Sequence, residues 1–306
     1  MNKIAMEVNL GRLKLKNPVM PASGTFDLDE KISLPYDTRE LGAIITKSIA
    51  LKRNSGNPPP RISESSAGLI NAIGVPSEGI DWFVQNKLPI FKKANTPIIA
   101  SIAGFSIKEF ILLAEKIDKL KEVAALELDF ACPHSTHSYG TICKDKTLTE
   151  KTISQIKEVY SKPLIAKLSA GVTDITQIAQ AAQRGGADIL SLINTVSAIA
   201  IDIHTKKPVL GNKVGGLSGP AIKPIALKAV WDVAQSVDIP IIGIGGISNS
   251  ADAIEFLLAG ASAVQVGTAA MVNPLVMIEI IQGIEQYLRE QGYSSVKEII
   301  GLAWGD

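Results

Sequence analysis

The sequence predicts an α/β fold: a (β/α)8 TIM barrel forming a single domain over residues 1–306, with an N-terminal β-hairpin and loops inserted at the C-terminal face of the barrel. Three observations carry that prediction. Eight short runs rich in Val, Ile, Leu and Ala are spread along the chain, and from the third onward each precedes an amphipathic helical stretch. The runs are continuously apolar rather than alternating, as in parallel strands covered on both faces. Eight such units in roughly 250 residues match the arithmetic of a closed barrel. A doubly wound sheet with a second domain is the alternative arrangement of the same units.

Taken in order, MEVNLGRLKLKN reads as a short hairpin turning at Leu10-Gly11, a lid before the first buried strand in PVMPAS (18–23). AIITKS (43–48), PIIASIAG (97–104), AALELDF (124–130) and PLIAKLS (163–169) follow, then DILSLINT (188–195), PIIGIGG (240–246) and AVQVGT (263–268). SIKEFILLAEKIDKL, TEKTISQIKEVY, DITQIAQAAQRG, KPIALKAVWDVAQSV and SADAIEFLLAG supply helices between or after them. Three polar insertions interrupt the alternation: residues 49–80, HSTHSYGTICKDKT after the fourth strand, and 197–215, which reads as a hairpin turning at His204 to Lys207. Insertions at the C-terminal ends of barrel strands shape access to a site.

Composition narrows the partners. With 31 basic and 30 acidic residues there is no footprint for nucleic acid or for a charged membrane surface. The expected compartment is the cytoplasm, since no apolar run reaches the ~20 residues of a membrane span and the N-terminus lacks a signal peptide's apolar core. The two cysteines, Cys132 and Cys143, form no C-x-x-C pair, so any metal centre is expected on another chain.

Chemistry should collect at the strand C-termini, and polar residues do gather there. They are Ser23-Gly24-Thr25, Lys47-Ser48, Asp129 with Cys132, Lys167, Asn194-Thr195, Gly245-Gly246 and Gly267-Thr268. Lys47 and Lys167 stand in apolar runs, where burial requires either an internal ion pair or a ligand. Two lysines at equivalent ends favour a ligand. GIGGIS and VGTA each precede a helix, so their backbone N–H groups converge where barrels bind phosphate, and GGLSG (215–219) can add more. Cys132 in ELDFACPHST admits three readings: a small buried hydrophobe, a proton acceptor favoured as thiolate by nearby lysines, or a metal ligand with His134 and His137 that lacks a fourth donor.

These motifs together resemble the family-1 dihydroorotate dehydrogenases, most closely the branch partnered by an iron–sulfur and FAD electron-transfer subunit. The likeness rests on NPVMPASGTF, ITKS, GNPPPRISE, GLINAIGVPSEG, the Cys132-Pro133 pair, AKLSAGVTDI, LINT, GGLSGPAIKPIAL, VDIPIIGIGGIS and AGASAVQVGTA. It implies FMN, with phosphate at Gly219, Gly245, Gly246, Gly267 and Thr268, and Lys167 beside the isoalloxazine pyrimidine edge. Ser23, Lys47, Ser48, Ser101, Asp129 and Ile193 would complete the cofactor site. It further implies a dihydropyrimidine substrate stacked against the loop Asn71, Ala72, Ile73, Gly74 and Val75. Asn194, Thr195, Lys47, Asp129 and His134 would hold that substrate, and Cys132 would be the base, with Lys47 beside it. FAD and a [2Fe–2S] cluster in the partner would pass electrons to NAD⁺, the chain forming a homodimer and, with that subunit, a heterotetramer.

The family usually reads L-N-x-S-C-P-N where this chain has Asp129, Ala131 and His134, and Ser101 stands where asparagine is usual. Cys-Pro-His also matches dihydropyrimidine dehydrogenases, so a neutral dihydropyrimidine or another neutral cyclic amide, in a related flavin oxidoreductase with a changed substrate, is the alternative. Fumarate is the alternative acceptor. A redox relay without substrate chemistry and a flavin-free barrel are the readings from other classes.

Overall fold

Eight parallel strands close around one axis in the computed structural model, which describes residues 4–29, 34–129 and 142–305. They are β1 (Val19–Pro21), β2 (Ile44–Ile45), β3 (Ile98–Ile102), β4 (Val123–Leu128), β5 (Leu164–Leu168), β6 (Ile189–Leu192), β7 (Ile241–Ile244) and β8 (Ala263–Val266). Hydrogen bonds run in the order β1-β8-β7-β6-β5-β4-β3-β2, every pair parallel. The two ends of that order meet where Gly42 N donates to Val19 O at 2.9 Å. A Cβ on Gly42 would lie 2.2 Å from Asn17 O, so only glycine lets the backbones approach there. Asn17 pins the same seam from within, accepting from Val19 N and donating to Glu40 O.

The strands are apolar on both faces because both faces are covered. β3, β5, β6, β7 and β8 are buried at every position, the inward side chains filling the barrel and the outward ones meeting the helices. Those helices are α1 (Leu88–Lys93), α2 (Ile107–Asp118), α3 (Lys146–Lys157), α4 (Ile175–Arg184), α5 (Lys223–Ala234), α6 (Ser250–Leu258) and α8 (Val276–Glu290), while the short α7 (Thr268–Val272) buries no residue and lies at the cavity rim. In α2 the buried residues are Phe110, Leu113, Ala114 and Ile117, the spacing of a single helical stripe. Side-chain caps start several of them: Ser106 for α2, Asp145 for α3, Asp174 for α4 and Asn249 for α6.

The hairpin of Val8–Leu10 and Leu13–Leu15 turns at Gly11-Arg12, one residue later than the sequence suggested. Its alternate residues Val8, Leu10, Leu13 and Leu15 are buried. Arg12 donates to Ser161 O just ahead of β5, and Gly11 approaches Asp188 O just ahead of β6, so the hairpin covers the N-terminal mouth of the barrel. It is a floor, and the site lies at the opposite end. There the insertions after β2 and β6 join in one antiparallel sheet ordered Val196–Ile199, Val214–Ser218, Gly68–Asn71, Ile62–Ser65. The expected hairpin turn lies between Ile201–Asp202 and Lys207–Pro208, held by Asp202 accepting from the N–H groups of His204 and Thr205.

Candidate active site

A cavity of about 620 Å³ opens at the C-terminal ends of the strands, within the size range of ligand pockets. Its floor is polar. Lys167 on β5 donates to Ser23 Oγ at 2.7 Å and lies 3.7 Å from Glu127 Oε1. Lys167 therefore has the internal ion pair that was the simpler reading of a lysine in an apolar run. Lys47 does not share that setting: its side chain is exposed rather than buried, because β2 ends early and turns it into the opening. It borders both this cavity and an adjoining one of about 430 Å³.

Asp129, one residue past β4, accepts from Ser48 Oγ at 2.8 Å and from Asn194 Nδ2 at 3.2 Å. Burial raises its pKa above the ordinary carboxylate range. The Lys167 charge and the hydrogen bonds from Ser48 and Asn194 pull the other way, and the Glu127 charge adds to the rise. Asn194 is fixed at its other end, its Oδ1 accepting from Thr195 N at 2.8 Å. Ser101 is fully buried behind Ser48, the two hydroxyls 3.3 Å apart, so it does not line the cavity as a cofactor contact would.

The far wall is the loop that follows Gly68–Asn71. Asn71, Ile73, Gly74 and Val75 line the cavity, whereas Ala72 is buried away from it against Leu210 and Ile70. Sequence reasoning passed over what holds this loop. Asn54 Nδ2 donates to the carbonyls of Gly74 and Val75, and Asn57 Nδ2 to that of Ala72. These clamps keep Val75 at φ +53°, a costly conformation for a β-branched residue. Asn54 and Asn57, two of the three asparagines in the 49–80 insertion, were the available signal.

The remaining rim is glycine. Gly219 at φ +91°, Gly245 at +128° and Gly246 at +74° carry the chain through turns that other residues rarely adopt. Gly267 leads into α7, where Thr268 and Ser218 share a 2.8 Å hydrogen bond between hydroxyls. Ile193 and Thr195 close the cavity between these turns and Asn194. A Cβ on Gly246 would sit 2.7 Å from Lys223 N and in the left-handed region besides. Gly246→Ala is therefore expected to lower stability by about 1–3 kcal/mol, read as a fall in the urea midpoint.

Cys132, Ala131 and His134 lie outside the described residues. Of the other predicted residues, all but Ala72 and Ser101 converge on this cavity. Two residues missed by sequence reasoning, Glu127 and Gln265, lie in the barrel interior, both fully buried. The rule that singled out Lys47 and Lys167, a polar group inside an apolar run, applies equally to Glu127 in AALELDF and Gln265 in AVQV.

A closed parallel barrel with a polar, glycine-edged cavity at its strand ends has the build of a barrel enzyme. The family model for dihydroorotate dehydrogenase matches residues 5–288. The "Dihydroorotate dehydrogenase B (NAD(+)), catalytic subunit" of Trichlorobacter lovleyi is 48% identical over 303 residues, 99% of this chain and 100% of that protein. The proteins of the same name from Caldicellulosiruptor bescii and Thermodesulfovibrio yellowstonii are 47% and 46% identical over 296 residues, 97% of this chain and 98% of each relative. The crystal structure of DHODH from Eimeria tenella in complex with ferulenol superposes with a TM-score of 0.80 at 21% identity, covering 99% of this chain and 89% of that one, a likeness of fold. The chain belongs to the dihydroorotate dehydrogenase family.

Proposed function

We propose that the chain is an FMN-dependent oxidoreductase that converts dihydroorotate to orotate, removing a proton from C5 and a hydride from C6. One observation carries the reading: a single cavity joins the Lys167 ammonium and the glycine turns after β7 and β8 to Lys47, Asp129 and Asn194 facing the Asn71–Val75 loop. FMN fits the residues present. Gly245, Gly246, Gly267 and the start of α7 offer backbone N–H groups without intrahelical acceptors, and a Cβ built on Gly267 would meet nothing closer than 3.7 Å, leaving room for a phosphate. When bound, FMN would accept the hydride and release electrons to a later acceptor.

The chain's own residues do the rest. Lys167 and Ser23 would hold the pyrimidine edge of the cofactor, and Ser218 with Thr268 the phosphate end. Asn194, its amide locked at both ends, would present a fixed face to a flat ring. The exposed ammonium of Lys47 would balance a substrate carboxylate against Asp129. Cys132 would take the C5 proton.

The relatives' shared name, a catalytic subunit of an NAD(+) enzyme, supports a partner subunit for this chain; that this subunit carries FAD and [2Fe–2S], and that the barrels form a homodimer within a heterotetramer, is part of the proposal. No helix among the described residues is long and apolar enough to cross a membrane, and assembly in the cytoplasm is part of the same proposal. The carboxyl of Asp129 supports a second substrate reading, a neutral dihydropyrimidine, because a negative charge there repels orotate's carboxylate.

Anaerobic mixing of the FMN-loaded protein with dihydroorotate, dihydrouracil or dihydrothymine tests both. Bleaching of the flavin band by dihydroorotate alone is the expected result. Bleaching only by the neutral compounds transfers the function to them, and a colourless protein that takes up no FMN removes the flavin reading altogether.

A further inference from the structure

Glu127 places a carboxyl group in the barrel interior, 0% exposed. Burying a carboxylate is costly unless its oxygens are met, yet among the described residues only one of them is. Oε2 accepts from Gln265 Nε2 on β8 at 3.0 Å and from Ser191 Oγ on β6 at 3.3 Å. Oε1 has no hydrogen-bond partner among the described residues. Lys167 Nζ stands 3.7 Å from it, beyond hydrogen-bond length.

The ammonium instead makes its short contact with Ser23 Oγ, 2.7 Å away on the cavity wall. Two residues from other strands thus restrain the carboxylate, and the lysine beside it leans toward the cavity. A direct 2.8 Å contact would engage the lysine's donors. At 3.7 Å the charge is balanced while the donors stay available. The unmatched Oε1 is the cost of that arrangement.

We infer that Glu127 is a positioning residue for Lys167: tethered by Gln265 and Ser191, it neutralises the ammonium without capturing it and so sets how strongly Lys167 acts on the ligand above. The inference rests on the reading that this ligand is FMN with its pyrimidine edge at Lys167. Two-electron reduction places negative charge on that edge, so the cation's strength sets the preference for reduced over oxidised FMN. Removing the balancing carboxylate strengthens the cation as the ligand senses it. Removing the tether lets the carboxylate close on Lys167 and weakens it. The two substitutions therefore act in opposite directions, which loss of packing alone does not produce.

The test compares dissociation constants of oxidised and dithionite-reduced FMN by fluorescence titration of the apoprotein, with apoprotein melting as the check on folding. Glu127→Gln is expected to raise the ratio of oxidised to reduced constants about tenfold, about +30 mV in the two-electron potential. Gln265→Met is expected to lower it about threefold. In a Lys167→Met background the Glu127→Gln effect should shrink to less than half.

An unchanged ratio in Glu127→Gln, a shift of the same sign in both single variants, or an undiminished effect without Lys167 each overturns the proposal. If Glu127→Gln does not fold, Gln265→Met alone decides: a lowered ratio supports the tether and an unchanged one overturns it. A wild-type chain that binds no FMN overturns the functional reading itself, and is told apart by the first titration.

Discussion

Cys132→Ser is expected to keep its FMN and to slow flavin bleaching by dihydroorotate by about 10²–10⁴-fold, the usual contribution of a positioned general base. A thiol with an unperturbed pKa of ~8.5 accepts a proton reversibly near neutral pH, and cations nearby favour its thiolate. A serine hydroxyl is a far weaker acid and offers no comparable base. Because the C5 proton and the C6 hydride both leave the substrate, loss of the proton acceptor should lower the reduction rate while leaving substrate affinity within a few-fold.

The other cysteine is the internal control. Cys143 is 1% exposed, and burial pushes its thiol up to about 11, so it stays a neutral, packed group across the working pH range. Cys143→Ser should change the melting temperature and not the bleaching rate. If both substitutions slow bleaching alike, the base is not Cys132 and the loss is structural. If neither does, the proton leaves by another route.

The barrel was legible because its signals are local and repeated. β3, β5 and β7 are apolar runs opened by Pro and interrupted only by Ser101 and Lys167, and each following helix carries its own stripe. The seam was not, because Gly42 and Asn17 matter through a backbone contact between residues 25 apart that no periodicity encodes. Within the site, the glycine turns and Lys167 could be read from residue type and place. Lys47 could be read as functional for a reason that proved wrong: its run is apolar, yet β2 is only Ile44–Ile45 and the lysine lies beyond it in the opening. Ala72 and Ser101 show the limit of carrying a role along a motif. Neighbours in sequence alternate in direction on an extended backbone, so Asn71 and Ile73 reach the cavity while Ala72 turns away.

Asp129→Asn is the substitution expected to reveal which substrate the cavity was shaped for. In the wild type both carboxylate oxygens accept, one from Ser48 and one from Asn194. An asparagine has one acceptor oxygen and an amide that donates. It can keep the bond from Asn194, provided the Ser48 hydroxyl rotates to accept from the new amide and donates instead toward Ser101, 3.3 Å away. The variant should therefore fold.

The charge consequence has a definite sign. Burial raises the Asp129 pKa, chiefly against the pull of Lys167, so the carboxyl holds its proton to a higher pH than an ordinary aspartate. Below that folded-state value wild type and variant present the same neutral wall. As pH rises through it the wild type gains a negative charge facing the ligand and the variant does not. Orotate should then bind the variant more tightly, on the order of tenfold at effective dielectric values typical of proteins, while neutral dihydrouracil shows no such divergence.

Stability follows the same titration: the unfolded chain ionises in the ordinary range and the folded chain later. The contribution of Asp129 is thus fully present below the unfolded value and is lost as pH rises through the folded one. Asp129→Asn should remove that loss, and urea midpoints of the two proteins should separate with increasing pH. A ratio of orotate affinities that is the same at every pH would mean that Asp129 never changes its charge in the working range, and would leave Lys47 alone to decide between a charged and a neutral substrate.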